Sequence, residues 1–247
     1  MREAKDVFTV LQEKLKEIVD YENGLSQQKI EISCSVLTTE EAIGNPERQD
    51  FPLQKGKEKL MQARCRDSCG QAFTDMPNDY AGIVGDLTTM PLNTNYERAV
   101  FISGLNAVLR ELGMAGHTIH CRDGGPRQCA VEIGAIIAGE YGHPRIAMFG
   151  LQPAIAETLA QQFELRVFDL DPDNIGQTKF GLVIENGECD LDEVEGWADL
   201  FLVTGSTLCN GSIREFLPIR KPVAFFGTTI AGAAPLLGLK RICPQSA

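Results

Sequence analysis

The spacing of apolar positions changes character along this chain. Val7, Leu11, Leu15 and Ile18 share one face at helical spacing, and Phe8 and Val19 widen the stripe, so residues 1–22 are expected to form an amphipathic helix. Asn23-Gly24 supplies a stop, because glycine accepts the left-handed conformation that ends helices. Ile30, Ile32, Cys34 and Val36 then alternate with polar residues, the period of a half-buried strand. A polar loop is expected from Thr38 to Gln49, a helix from Lys57 to Arg66, and a compact segment from Gly70 to Thr74 ending at Asp75. Tyr96 to Leu112 is the strongest helix, with Ala99, Ile102, Leu105, Val108, Leu109 and Leu112 recurring before Gly113.

Beyond residue 145 short apolar runs alternate with helical segments. Arg145–Phe149 reads as a strand, followed by Gly150-Leu151-Gln152-Pro153 and a helix over Ala154–Phe163. Leu165–Leu170, Leu182–Ile184, Leu200–Val203 and Val223–Phe226 read as further strands. Such alternation implies a parallel sheet covered on both faces. The expected fold is therefore α/β: a Rossmann-like parallel-sheet domain over residues 96–247, preceded by a smaller α+β domain over residues 1–95. The helix from Tyr96 to Leu112 joins them.

Composition narrows the partners. The chain has 247 residues, 43% hydrophobic and 23% charged, with a formal net charge of -11. That charge repels a phosphate backbone or an anionic bilayer, and no Lys/Arg stripe offsets it. The most apolar stretch, Ala224–Leu239, is broken by threonines, glycines and Pro235, so no membrane span is expected. The eight cysteines (34, 65, 69, 121, 129, 189, 209 and 243) follow no framework spacing, and no secretion signal opens the chain. Reduced thiols in the cytoplasm are the expectation. The oligomeric state stays open, with a homodimer one option.

The candidate chemistry lies at the strand ends. Thr204-Gly205-Ser206-Thr207 with Asn210-Gly211, Gly227-Thr228-Thr229 with Ala231-Gly232, and Asp171 with Asn174-Ile175-Gly176 each follow a predicted strand. In open parallel sheets ligands bind outside the carboxyl ends of strands, where helix N-termini present free N–H groups suited to an anion. Glycines there let a ligand approach the backbone, and hydroxyls and amides give directed hydrogen bonds. Caps and tight turns use the same residue types, but three such turns at one sheet edge favour a site. Gly150-Leu151-Gln152-Pro153 is not the glycine-rich dinucleotide turn, although Asp171 falls about 20 residues beyond Gly150, where a ribose-binding acid sits in that motif.

A second constellation is His117-Thr118-Ile119-His120-Cys121, with Cys129 further on. Imidazole and thiolate together suit zinc or softer transition metals, which makes His120 and Cys121 candidate ligands. Their spacing matches no closed tetrahedral site, so a packed histidine and a buried thiol are the alternative. Cys65 and Cys69 read as packing or surface thiols, and His143 as a turn residue. Asp50, Lys55, Lys57 and Glu58 form a charged run expected on a solvated face, whereas Asp75 is expected to point inward. No nucleophile elbow is present, so no catalytic residue is assigned.

Taken together, several segments resemble a family named for a proposed heavy-metal chelation role. They are Asp50-Phe51-Pro52-Leu53 with Lys55-Gly56-Lys57-Glu58, Gly70 to Asp75, Leu105-Asn106-Ala107-Val108, Thr118 with His120-Cys121, Asp169 to Gly176, Thr204 to Gly211 and Gly227 to Gly232. Ser212 stands where threonine is expected, and Cys65 and Cys69 lie outside the motifs. The resemblance implies an enolase N-terminal-like domain fused to the Rossmann-like one, with a ligand site between them. Phe73, Thr74, Asp75, Gly150 and Gln152 would join the strand-end turns as ligand-binding residues. The implied function is chelation or handling of a metal ligand in that cleft. The alternative is a metal-independent enzyme acting on a small phosphorylated or nucleotide-like substrate.

Overall fold

The computed structural model describes residues 5–21, 31–46, 48–56 and 58–247. The expectations at Asn23-Gly24, Ile30 and Lys57, and the first residues of the N-terminal helix, lie outside the described residues. Helix α1 (Val7–Tyr21) buries Val7, Phe8, Leu11, Leu15 and Val19, the stripe its sequence presents. Strands β1 (Glu31–Val36), β2 (Lys59–Cys65), β3 (Ser68–Thr74) and β4 (Tyr80–Ile83) pair antiparallel in the order β3-β2-β1-β4. Helix α2 (Thr39–Ile43) interrupts the expected polar loop, and its start is set by a reciprocal cap: the Glu41 amide donates to Thr38 Oγ1, and the Thr38 amide to the Glu41 carboxylate.

The helix expected over Lys57–Arg66 is instead the strand β2. Met61, Ala63 and Cys65 alternate into the main core, while Leu60 faces a smaller cluster with Ile43, Phe51 and Leu53. A strand covered on both faces has apolar residues at adjacent positions, which imitates a helical stripe.

A short helix α3 (Val84–Leu87) leads to α4 (Asn95–Glu111), whose N-terminus is closed by a second reciprocal cap between Thr94 and Glu97. Every residue of α4 from Arg98 to Leu109 is buried. A helix apolar or buried all round must be covered on all sides, and α4 is: it packs on β2 and β3 and also meets the short helices Thr207–Asn210 and Ala233–Leu237. Gly70 in β3 is required by that contact, because a Cβ there would lie 2.2 Å from the Ala107 backbone nitrogen. The expected domain boundary at 95/96 thus falls at the start of a helix whose packing both units share.

The second sheet has seven strands: β5 (Ile146–Phe149), β6 (Leu165–Asp169), β7 (Thr178–Lys179), β8 (Leu182–Asn186), β9 (Leu200–Thr204), β10 (Val223–Phe226) and β11 (Lys240–Arg241), ordered β11-β10-β9-β5-β6-β8-β7. Only β7 runs antiparallel to its neighbour. Helices α5 (Gly125–Tyr141) and α6 (Pro153–Ala160) cover one face through Ile146, Met148, Val167 and Leu202. The alternate residues Ala147, Phe149, Phe168, Phe201 and Phe225 join α1, α4 and the small helices α8 (Thr207–Asn210), α9 (Ile213–Phe216) and α10 (Ala233–Leu237). Helix α7 (Leu191–Trp197) precedes β9. The period-2 partition of side chains between two cores is what a doubly covered parallel sheet requires. Among the described residues no helix is long and apolar enough to cross a membrane.

Candidate functional site

The strand order of the second sheet reverses between β5 and β9, the place where ligand crevices open in such sheets. There a cleft of about 700 Å³ is lined by both units of the molecule. Its floor is organised by Asp169 at the end of β6. One carboxylate oxygen accepts from the Leu151 amide and the other from the Asp171 amide, both at 2.7 Å. This double acceptance ties the turn after β5 to the turn after β6. Asp171 accepts in turn from the Asp173 amide at 3.0 Å, and Lys179 donates to the Asn174 side chain. Gln152 caps α6 by accepting from the Ile155 amide at 2.6 Å. After β9, Thr207 Oγ1 donates to the Thr204 carbonyl at 2.8 Å and closes a tight turn.

The first sheet supplies the facing wall. The Phe73 amide donates to Thr229 Oγ1 at 3.1 Å, so β3 docks on the turn after β10. Asn106, fully buried on α4, fixes the same junction. Its Nδ2 donates to the carbonyls of Gln71, Thr228 and Thr229, and its Oδ1 accepts from the Gly232 amide. Arg98 donates to the Cys209 carbonyl at 2.8 Å, anchoring α8. Asp75 accepts from Asn95 Nδ2 at 2.7 Å.

Most residues singled out in the sequence meet here. Phe73, Thr74, Asp75, His120, Cys121, Gly150, Gln152, Asp171, Asn174, Thr204, Gly205, Ser206, Thr207, Asn210, Gly227 and Thr229 line the cleft, whereas Gly176 and Thr228 do not. Gly176 sits exposed in a turn at φ +78°. Thr228 is buried, and among the described residues its hydroxyl has no hydrogen-bond partner. Packing requires glycine at two of these positions, while a Cβ on Gly227 would meet nothing within 4 Å. A Cβ on Gly205 would come 2.9 Å from the Ile230 amide nitrogen, and one on Gly150 would meet the Thr204 side chain at 2.5 Å.

Glu58 corrects the expectation of a solvated charged run, for it lines the cleft. Lys59 pairs with Thr74 at the end of the β2–β3 ladder, which brings the next residues, Glu58 and Asp75, to the cleft together. Burial, then the charges of Asp169, Asp75 and Asp171, push the Glu58 carboxyl up to about 7. Reading residues 59–65 as a strand would have revealed this. Asp169 and Glu188 also line the cleft and were not assigned a role from sequence.

His120 sits edge-on to Phe73 at a ring separation of 5.3 Å, and its amide donates to Gln71 Oε1 at 2.7 Å. Burial lowers its pKa to about 4, so the ring is neutral near pH 7, and Nδ1 is buried without a partner among the described residues. Cys121, by contrast, lies against Cys129. Among the described residues no group of three His, Cys, Asp or Glu is arranged to hold a metal ion. His120 and Cys121 therefore do not by themselves fit a closed metal site.

No protein of curated function matches the chain in sequence. In structure it is similar to a DUF364-family protein of unknown function from Pyrococcus horikoshii, with 13% identity, 90% of this chain and 79% of that one covered, and a TM-score of 0.54. A second DUF364-family structure, from Desulfitobacterium hafniense DCB-2, gives 13% identity, 72% coverage of each chain and a TM-score of 0.48. Residues 136–236, from within α5 into α10, match the model of the DUF364 family, whose description reads "Putative heavy-metal chelation".

Proposed function

We propose that the cleft handles a metal ion already held by a small organic chelator. The observation that carries this reading is the convergence of Glu58, Asp75, Asp169 and Asp171, close enough for their charges to raise the Glu58 carboxyl. Walls of that sign favour a ligand bearing positive charge and oppose a bare phosphate. The absence of a three-donor group among the described residues suits a cation whose coordination the chelator already supplies. Phe51, Leu53, Phe73 and Ile155 offer apolar surface to an organic body, and Thr204 and Ser206 offer hydroxyls to its polar atoms. The volume lies within the roughly 300–1,000 Å³ usual for small-molecule sites. The family description agrees in kind.

Calorimetry with nickel, cobalt or zinc complexes of a neutral polyamine chelator, which keep the positive charge of the metal, tests the proposal. Tighter binding of the complex than of free metal or free chelator supports it; equal binding of free chelator overturns it. A second reading is a metal-independent enzyme on a phosphorylated or nucleotide-like substrate. It is favoured by the position of the cleft at the strand-order reversal and by a carboxyl near pH 7, suited to proton transfer.

A further inference from the structure

Residues 48–56 differ from the rest of the fold in how they are held. Among the described residues their hydrogen bonds stay within residues 46–56, with one exception. The amides of Gln54, Lys55 and Gly56 donate to the carbonyls of Phe51, Pro52 and Leu53 at 3.0, 3.1 and 3.2 Å. The Gln54 side chain accepts from the Phe51 amide and donates to the Arg48 carbonyl and to Gln49, each at 3.1 Å. The exception is Arg48. Its guanidinium donates to both Asp50 carboxylate oxygens, at 2.9 and 2.7 Å, and reaches across to Glu157 of α6. The same group lies 5.3 Å from the centroid of the Phe180 ring, between β7 and β8.

The apolar side of this loop is equally separate. Phe51 and Leu53 are buried with Ala42, Ile43 and Leu60 in a small cluster apart from the two main cores, the kind of satellite that forms under long loops. Phe51, Pro52 and Leu53 line one wall of the cleft, and Gln152 and Ile155 of α6 line another. Glu157 lies just beyond Ile155 on the same helix. The Arg48–Glu157 pair therefore ties a wall supplied by the first unit to a wall supplied by the second.

We propose that residues 48–56 are a lid over the cleft and that Arg48 is its latch. This concerns how a ligand enters and not which ligand it is, so it stands apart from the reading above. Opening the lid breaks one ion pair between the units and disturbs only the small cluster. The main cores, which α4 shares between the units, stay intact. Loops that admit ligands are drawn from such weakly anchored segments, and their closure shields the site from water. Arginine suits the latch because its planar fork gives two N–H groups to Asp50 and a third to Glu157, while its face meets Phe180. Asp50, carried on the lid itself, orients the guanidinium before it closes on Glu157. Lysine, with one point charge on a flexible stem, cannot make all of these contacts.

Hydrogen exchange and thiol labelling of the full chain test the lid without a ligand. Arg48→Ala and Glu157→Gln should each speed exchange of the Gln54, Lys55 and Gly56 amides by about three- to tenfold, the weight of a networked ion pair with a cation–π contact. Amides of β5 and β9 should keep their wild-type rates. Iodoacetamide should modify Cys121, which lines the cleft, faster in both variants, and Cys189, which does not, at an unchanged rate. Adding Glu157→Gln to Arg48→Ala should change nothing further, because the same contact is already lost. Wild type needs no substitution to be tested: at about 1 M salt, where charges are screened beyond roughly 3 Å, its loop exchange should approach that of Arg48→Ala. Unchanged loop exchange and Cys121 labelling in both variants would overturn the proposal. So would faster exchange spread through β5 and β9, which would make the pair a support of the whole fold.

Discussion

The Phe73 amide and Thr229 Oγ1, 156 positions apart in the chain, meet at 3.1 Å where the two sheets join. Phe73 lies on β3, an edge strand, whose outward N–H groups need partners from outside their own sheet. Thr229→Val keeps the shape of the side chain but removes the acceptor. It should cost about 1–3 kcal/mol, because the Phe73 N–H is left unpaired in a part-buried place. Thr229→Ser should retain most of the stability. Urea unfolding of both variants measures the difference, and a Val variant as stable as wild type would show the bond to be incidental.

Asn106 holds a larger share of the junction, with three carbonyls and one amide on a single buried side chain. Asn106→Ala should therefore lose about 3 kcal/mol or more. Asn106→Asp should be worse at pH 7, since a carboxylate would face three carbonyl oxygens, and should recover partly as acid protonates it. Thermal melts across pH separate the two variants.

Glu58 sets a pH dependence whose sign can be worked out. Its carboxyl stands at about 7 in the folded protein against an ordinary value of 4.5. Between those values the folded state holds a proton that the unfolded state has released, so stability falls as pH rises through this window. Below it Glu58 is protonated in both states, and wild type should match Glu58→Gln. Above it Glu58→Gln should be the more stable. Affinity for a cationic ligand should run the other way, rising as Glu58 ionises. Unfolding curves for both proteins from pH 4 to pH 8 check the first statement, and a stability gap independent of pH would contradict it.

Thr228 has a buried hydroxyl without a partner among the described residues. Replacing it with the isosteric Val removes an unsatisfied polar atom, and the backbone carbonyl bonded by Asn106 is untouched. Thr228→Val should be neutral or stabilising by about 1 kcal/mol, read as an equal or higher melting temperature. A clear loss would show that the hydroxyl is satisfied in solution.

The strands β5, β6, β9 and β10 were legible because each is a short apolar run ending in a glycine- or aspartate-bearing turn. The turns placed the cleft for the same reason. Helix α5 was not legible: Gly134 and Gly139 dilute its helical preference, and the exposed Val131 and half-buried Ile136 blur the apolar stripe of Cys129, Ala130, Ile133 and Ile137. Misreading β2 as a helix hid Glu58, since ladder register, and not local pattern, brings it beside Asp75. The docking of residues 241–245 on His117 and Glu132 was invisible because those contacts join residues more than a hundred positions apart. His120 and Cys121, adjacent in sequence, face different surroundings: Phe73 for the ring, Cys129 for the thiol.

Helix α4, buried from Arg98 to Leu109, also decides how the molecule can move. One hydrophobic core runs from Met61 and Ala72 of the first sheet through α4 to Phe149 and Phe201 of the second. A hinge needs a seam with few contacts crossing it, and here the would-be seam is filled by the helix itself. The two halves cannot swing like a jaw without exposing that core. A ligand must therefore settle into a mould already cast, adjusting side chains and turn residues only. Small-angle scattering should give the same radius of gyration for the empty and the loaded protein, and calorimetry a single melting peak for the whole chain.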